Sequence, residues 1–366
     1  MAAGMLSPLF TPCRFDDLPG WRDDDHTSAF AAFRRSAFRH LEKPWKTGSL
    51  GVRLEAFLPA FAEARTMVET DGLEARAFFE RHFTPARVTP TEGAKGLVTG
   101  FYEPAVAASP VRTARHTVPL LRPPADLVEV DDTTRPAGLD SSYAWARDTG
   151  NGLVEYFDRS QIEKGALDGR GLEIAWLESR VDAFFIHVQG AARLVMPDGA
   201  QKRVTFAAKS GQPFIGVGRI LVARGEIPLE EISMQSIRAW LAAHPERADE
   251  LLWQNRSYIF FREAPVDDPE LGPVAAAKVP LTAGRSVAVD RFLHTFATPF
   301  FIHAPDLLRF GGKPFARLMI AQDTGTAIVG AARGDLFAGS GDAAGEIAGP
   351  IRNEADFYAL LPNALI

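Results

Sequence analysis

At residue 96 the chain reads GLVTGFYEPAVAAS (96–109), and there the spacing of its apolar residues changes. Upstream the spacing is helical. DDDHTSAFAAFRRSAFRHLEK (23–43) opens acidic and turns basic, as a helix dipole favours. Phe30, Phe33, Ala37 and Leu41 recur on one face of it. LEAFLPAFAEARTMV (54–68) and GLEARAFFERHF (72–83) repeat the pattern, with Pro85 as a stop. Their many Phe residues fall on the buried stripe and read as core.

Downstream the runs are short, β-rich and broken by Gly and Pro. They are HTVPLL (116–121), LEIAWLE (172–178), AFFIHVQG (183–190), ARLVMP (192–197), KRVTFAA (202–208) and FIGVGRILVA (214–223). A helical pair follows, with a Met234, Ile237, Leu241 stripe and Pro245 opening the second helix. Then β returns in SYIFFRE (257–263), KVPLTAGRSVAVD (278–290), TPFFIHAP (298–305), FARLMIAQD (315–323) and DLFAGSG (335–341). The stretch 103–140, with six prolines, is the most linker-like. These periods predict an α+β chain, mainly β, with two β cores.

Composition narrows the function. The 366 residues are 46% hydrophobic and 23% charged, enough for sizeable cores and too apolar for disorder. A net charge of −6 argues against general nucleic-acid binding, which needs clustered Lys and Arg. Cys13 is the one cysteine, so no internal disulfide forms, and nothing resembles a zinc motif. Neither metal nor other cofactor is expected. His187 and His303 sit in apolar, strand-like runs and read as satisfied core or rim residues. No run of about 20 apolar residues predicts a membrane span. The opening MAAGMLSPLFTPCRFDDLPGW shows no readable export signal, and Pro12 before Cys13 argues against lipidation there.

Chemistry concentrates in the last third. Three segments each deliver an aspartate at the end of an apolar strand: SVAVD (Asp290), RLMIAQD (Asp323) and ARGD before LFAGSG (Asp335). One such Asp is usually a turn residue. Three in one β region, two flanked by Gly, point to a site where a bulky ligand approaches the backbone. In DTGTAIVGAARGDLFAG (323–339) only Arg333 is basic. Two close carboxylates repel, so one keeps its proton. An ordinary Asp is protonated about once in a thousand at neutral pH. Raising its pKa to about 6 takes roughly 3 kcal/mol and yields a general acid. Acid-assisted glycosidic cleavage is the natural use. GxSxG, GxxxxGK[ST] and a strand–GxGxxG–helix are absent, and GVGRI (216–220) continues as strand.

The ordered segments TGFYEP (99–104), FFIHVQGAARLVMPDG (184–199), FIGVGRILVARGEI (214–227), ISMQSIRAWL (232–241) and NRSYIFFRE (255–263), with the three-aspartate region, resemble the MltA-type lytic murein transglycosylases. The resemblance spans 99 to about 350, with the early helices as the family's lead-in. It implies a double-psi β-barrel catalytic domain from residues 1–104 and 257–366, a smaller β-barrel domain inserted over 105–256, and glycan in the groove between them.

It further implies Asp335 as the catalytic acid, Asp323 as the group that positions it and raises its pKa, and Asp290 in a structural or hydrogen-bonding role. Thr99, Gly100 and Tyr102 match a substrate-binding TG-aromatic-Tyr motif, and Gln189 and Gly190 match QG. Two features depart from the family: QGAA stands where many members have QGSG, and the Asp323–Asp335 gap is 12 residues.

The implied reaction is non-hydrolytic cleavage of the β-1,4 bond between N-acetylmuramic acid and N-acetylglucosamine, leaving a 1,6-anhydro ring. The implied partner is peptidoglycan. The implied setting is the periplasm or cell envelope of a Gram-negative bacterium, with outer-membrane or cell-wall-complex association, as a monomer. Two alternatives are a two-carboxylate glycoside hydrolase and a non-catalytic, wall-remodelling double-psi barrel.

Overall fold

The computed structural model describes residues 6–68, 70–90 and 95–366; residues 1–5, the first of the stretch read for an export signal, lie outside them. The chain divides into two compact units, one from 1–102 and 268–366, the other from 103–267. Both mix helices and sheets.

The first unit draws on both ends of the chain. Its strands are β1 (Phe10–Pro12), β2 (Phe83–Val88), β3 (Gly96–Glu103), β4 (Ser286–Val289), β5 (Pro299–Ala304), β6 (Phe315–Asp323), β7 (Arg333–Ser340) and β8 (Arg352–Pro362). They form one sheet in the order β1-β2-β8-β5-β6-β4-β7-β3. The eleven residues of β8 reach three neighbours: 358–362 pair with β2, 356–359 with β5 and 352–355 with β3. The pairing therefore runs from β8 through β5, β6, β4, β7 and β3 back to β8.

Three helices precede β2: α1 (His26–Arg39), α2 (Leu58–Thr66) and α3 (Gly72–His82). Asp25 caps α1 by accepting from the Ser28 amide at 3.1 Å. Phe30, Phe33, Phe61, Phe78, Phe79 and Phe83 are buried together in the first unit's core. Leu41 is the exception to the predicted stripe. The helix stops at Arg39, and Leu41 is 63% exposed. A buried Arg285–Asp24 pair, with both guanidinium bonds at 2.8 Å, ties the start of α1 to the start of β4. A last helix, α4 (Asp342–Ala348), packs on β7.

In the second unit a four-stranded sheet runs Ile259–Ala264, Gln201–Lys209, Ala191–Val195, Ala105–Ala107. Glu103, at its entrance, is fully buried and accepts from Arg193 at 2.8 Å and Arg203 at 2.5 Å. Two runs read as strands prove helical. AFFIHVQG belongs to the helix Arg180–Gln189, and GVGRILVA to Val217–Ala223. The first misleads because it is buried on both sides. Ala183 and Ile186 enter one core while Phe184 and Phe185 enter another, so no polar face betrays the helical period. His187 is therefore a buried helical residue whose Nδ1 lies 3.0 Å from the Arg159 guanidinium.

Candidate active site

The strand order creates the site. β4 lies between β6, parallel to it, and β7, antiparallel. Ala288 is paired with Asp323 on one side and Asp335 on the other. Directly paired residues share a sheet face, so the two carboxylates flank one methyl group, their backbones two strand spacings apart, about 10 Å.

A bulge aims one of them. Between β4 and β6 the register skips Gln322. Gln322 is fully buried; its amide donates to Ala32 O at 2.8 Å and Ser36 Oγ at 2.9 Å, and its carbonyl oxygen accepts from Ser286 Oγ at 2.6 Å. The extra residue points inward and Asp323 takes the site face, a recognised use of bulges beside functional residues. Asp323 Oδ1 accepts from the Ala276 amide at 3.1 Å. Ala276 belongs to a tight turn held by the Ala277 amide on Gln322 O at 3.0 Å and by Trp45 Nε1 on Ala277 O at 3.0 Å.

Asp335 is held differently. The Thr99 hydroxyl on β3 donates to its Oδ1 at 2.5 Å, and Arg333 Nη2 donates to the same Thr99 oxygen at 2.7 Å. Arg333 also donates to Gly334 O. Asp335 Oδ2 has no hydrogen-bond partner among the described residues. Burial pushes both carboxyls above the usual range. For Asp323 it outweighs the backbone amides of Thr324 and Ala276 and the nearby Lys278, Asp335's charge adds to it, and the pKa is pushed up to about 6. For Asp335 burial wins against Arg333 and the Thr99 hydroxyl, which favour the charged form.

Asp290, just beyond β4, ties two loops together. Its Oδ1 accepts from the Phe292 amide and its Oδ2 from the Gly330 amide, both at 3.0 Å. Those loops present Phe292, 72% exposed, and Val329, 63% exposed. Gly100 and Tyr102 have packing duties. A Cβ on Gly100 would lie 2.7 Å from Ala348 O, so only glycine lets β3 run this close to α4. Tyr102 is buried with its ring against Gly345 of α4. Gln189 and Gly190 lie in the second unit, where Gly190 ends the helix Arg180–Gln189 at φ 77°.

The structure thus brings together Asp323, Asp335 and Thr99, with Asp290 at the adjoining strand end. Sequence reasoning did not single out Gln322, the Ala276 turn or the part played by Arg333. The signal for Arg333 was its being the lone cation in the Asp323–Asp335 stretch; for the other two there was none.

The strand ladder thus carries two acids of raised pKa beside one another, Asp323 and Asp335. The family follows from comparison with known proteins. Family models for the MltA specific insert domain and the 3D domain match residues 97–262 and 285–361. The chain is similar to the crystal structure of a membrane-bound lytic murein transglycosylase from Agrobacterium tumefaciens, at 51% identity and TM-score 0.91, covering 97% of this chain and 98% of that one. It is also similar to MltA from Neisseria gonorrhoeae, at 31% identity and TM-score 0.79, covering 100% and 98%. Membrane-bound lytic murein transglycosylase A of Vibrio cholerae is 34% identical over 197 residues, 52% of each chain, so the match spans about half the length of that curated relative. The chain belongs to the MltA family of lytic murein transglycosylases, with its insert domain and its 3D domain.

Proposed function

We infer that the protein is a lytic transglycosylase acting on peptidoglycan, and that Asp335 is its acid and then its base. The proton on Asp335 passes to the glycosidic oxygen as the bond to the muramoyl C1 breaks. The carboxylate so formed takes the proton of that sugar's C6 hydroxyl, whose oxygen bonds to C1. The products are a new N-acetylglucosamine end and a 1,6-anhydromuramoyl end. The tethered hydroxyl replaces a free water, so its high effective molarity helps.

The observation that carries this reading is Asp335 itself: half-buried, raised in pKa and, among the described residues, bonded through one oxygen only. The test is Asp335→Asn with peptidoglycan strands and mass spectrometry of the products. Loss of the 1,6-anhydro product with glycan binding retained supports the reading. Full activity sinks it, and a reducing-end product from the wild type points to a hydrolase. A second reading, Asp323 as the acid, has its elevated pKa in favour. It predicts that Asp323→Asn is as inactive as Asp335→Asn, whereas the first predicts a residual rate.

On the same reading the six-strand circuit is a double-psi barrel, residues 105–256 are the insert domain, and Gln189, Gly190, Thr99, Gly100 and Tyr102 serve the glycan's binding. The setting is the Gram-negative cell envelope; among the described residues no helix is long and apolar enough to cross a membrane.

A further inference from the structure

We propose that Arg333 is a positioning residue that acts through Thr99 to fix which oxygen of Asp335 carries the acid's proton. The inference rests on Asp335 being the acid, as above. A guanidinium has donors and no acceptor, so the 2.7 Å contact between Arg333 Nη2 and Thr99 Oγ1 runs one way only. With that lone pair engaged, the single hydroxyl hydrogen of Thr99 is directed to Asp335 Oδ1, 2.5 Å away. In a protonated carboxyl the carbonyl oxygen is the stronger acceptor, so it takes this bond and the proton is left to the other oxygen. The proton therefore sits on Oδ2, the oxygen without a partner among the described residues, and leaves from there to the glycosidic oxygen. After transfer the same relay steadies the carboxylate while Oδ2 receives the C6 proton.

The mount suits this duty. Arg333 is half-buried and its other amino group is anchored on Gly334 O. Thr99 pairs with Arg352 of β8, which fixes it along the ladder. The charged and titratable groups on the surrounding elements include Asp323 ending β6, Asp290 beyond β4, Lys278 in the turn that holds Asp323, Arg352, Glu354 and Asp356 of β8, Tyr102 and Glu103 of β3, and Asp342 and Glu346, exposed on α4.

The experiment is the pH dependence of kcat/KM on peptidoglycan strands for Arg333→Met, Arg333→Lys, Thr99→Val, Thr99→Ser and the Arg333→Met/Thr99→Val double variant. Thermal melts confirm folding. Arg333→Met and Thr99→Val are expected to lose about tenfold or more in kcat. Their alkaline limb should move up by roughly half to one pH unit, because the charged form of the acid loses its stabilisers. Arg333→Lys and Thr99→Ser keep a donor in place and should recover much of both. In kcat the double variant should match the worse single one, since the two residues act in series. Multiplicative losses, or an alkaline limb that stays put in Arg333→Met, overturn the proposal. Should Arg333→Met not fold, the same decision falls on Arg333→Lys against Thr99→Val. A wild type that yields no 1,6-anhydro product would instead sink the functional reading beneath it.

Discussion

Asp323 shows at the residue scale what the site costs the fold. Its pKa is pushed up to about 6, from an ordinary value near 3.8. Between those values the native state binds more protons than the unfolded chain, so this group's contribution to stability falls as pH rises. Above pH 6 the burden levels off at about 2 kcal/mol, allowing for partial exposure. Asp323→Asn keeps an oxygen for the Ala276 amide and cannot ionise. It should melt several degrees above the wild type at pH 8, with the gain gone near pH 4, as differential scanning calorimetry at the two pH values would reveal. A gain independent of pH would mean that the buried charge is not the cause.

Close approach sets the geometry at the element scale. β3 carries Thr99 to Asp335 and passes α4 at Gly100. Gly100→Ala would press a methyl on the backbone at Ala348, which cannot swing aside as a side chain can. Such overpacking costs about 2 kcal/mol, roughly 4–8 °C in melting temperature for a unit of this size. The larger effect should be on turnover: a small shift of β3 lengthens the Thr99–Asp335 bond, so activity below the melting point falls more than stability does. An active, merely less stable variant would show that β3 tolerates the shift. Gln322 belongs to the same scale. Its buried amide, held by Ala32, Ser36 and Ser286, turns a strand by one residue, and with it Asp323.

Each unit, taken by itself, holds a buried neutral histidine. His294 in the first donates from Nε2 to Ala331 O, 2.8 Å away, and burial holds its pKa down to about 4. His187 in the second is depressed by burial and by Arg159. The folded pKa values lie below the unfolded one, so the native state binds fewer protons, and stability present above pH 6.5 is lost as pH falls toward 4. For His294 the full loss is about 3 kcal/mol. Asp323 works in the opposite direction over pH 4–6. The whole molecule should therefore lose melting temperature on acidification from pH 7.5 to 5, and lose more in Asp323→Asn than in the wild type. A melting temperature that rises over that range in the variant contradicts the assignment.

The short apolar runs in SVAVD, RLMIAQD and DLFAGS, bounded by Gly and polar residues, were enough to make strands of them, because local steric preferences act on the chain wherever it goes. Asp290 and Asp323 could likewise be picked out beforehand, since acids ending apolar strands are a local pattern; Asp335, read as ending a strand, instead lies third in β7, ahead of its apolar run. The helix Arg180–Gln189 was not legible: two cores take its Ala183, Phe184, Phe185 and Ile186, and the position it exposes beyond them is Val188, so no polar stripe marks the period. Nor was the pairing of Asp323 and Asp335 across Ala288, the bulge at Gln322, or the line from Arg333 through Thr99 to Asp335. Those depend on which strands become neighbours, and 236 residues separate Thr99 from Asp335 along the chain. Residue type and spacing set the carboxylates at the edges of apolar strands; only the folded sheet, by bringing distant strands within hydrogen-bonding range, decided what each of them touches.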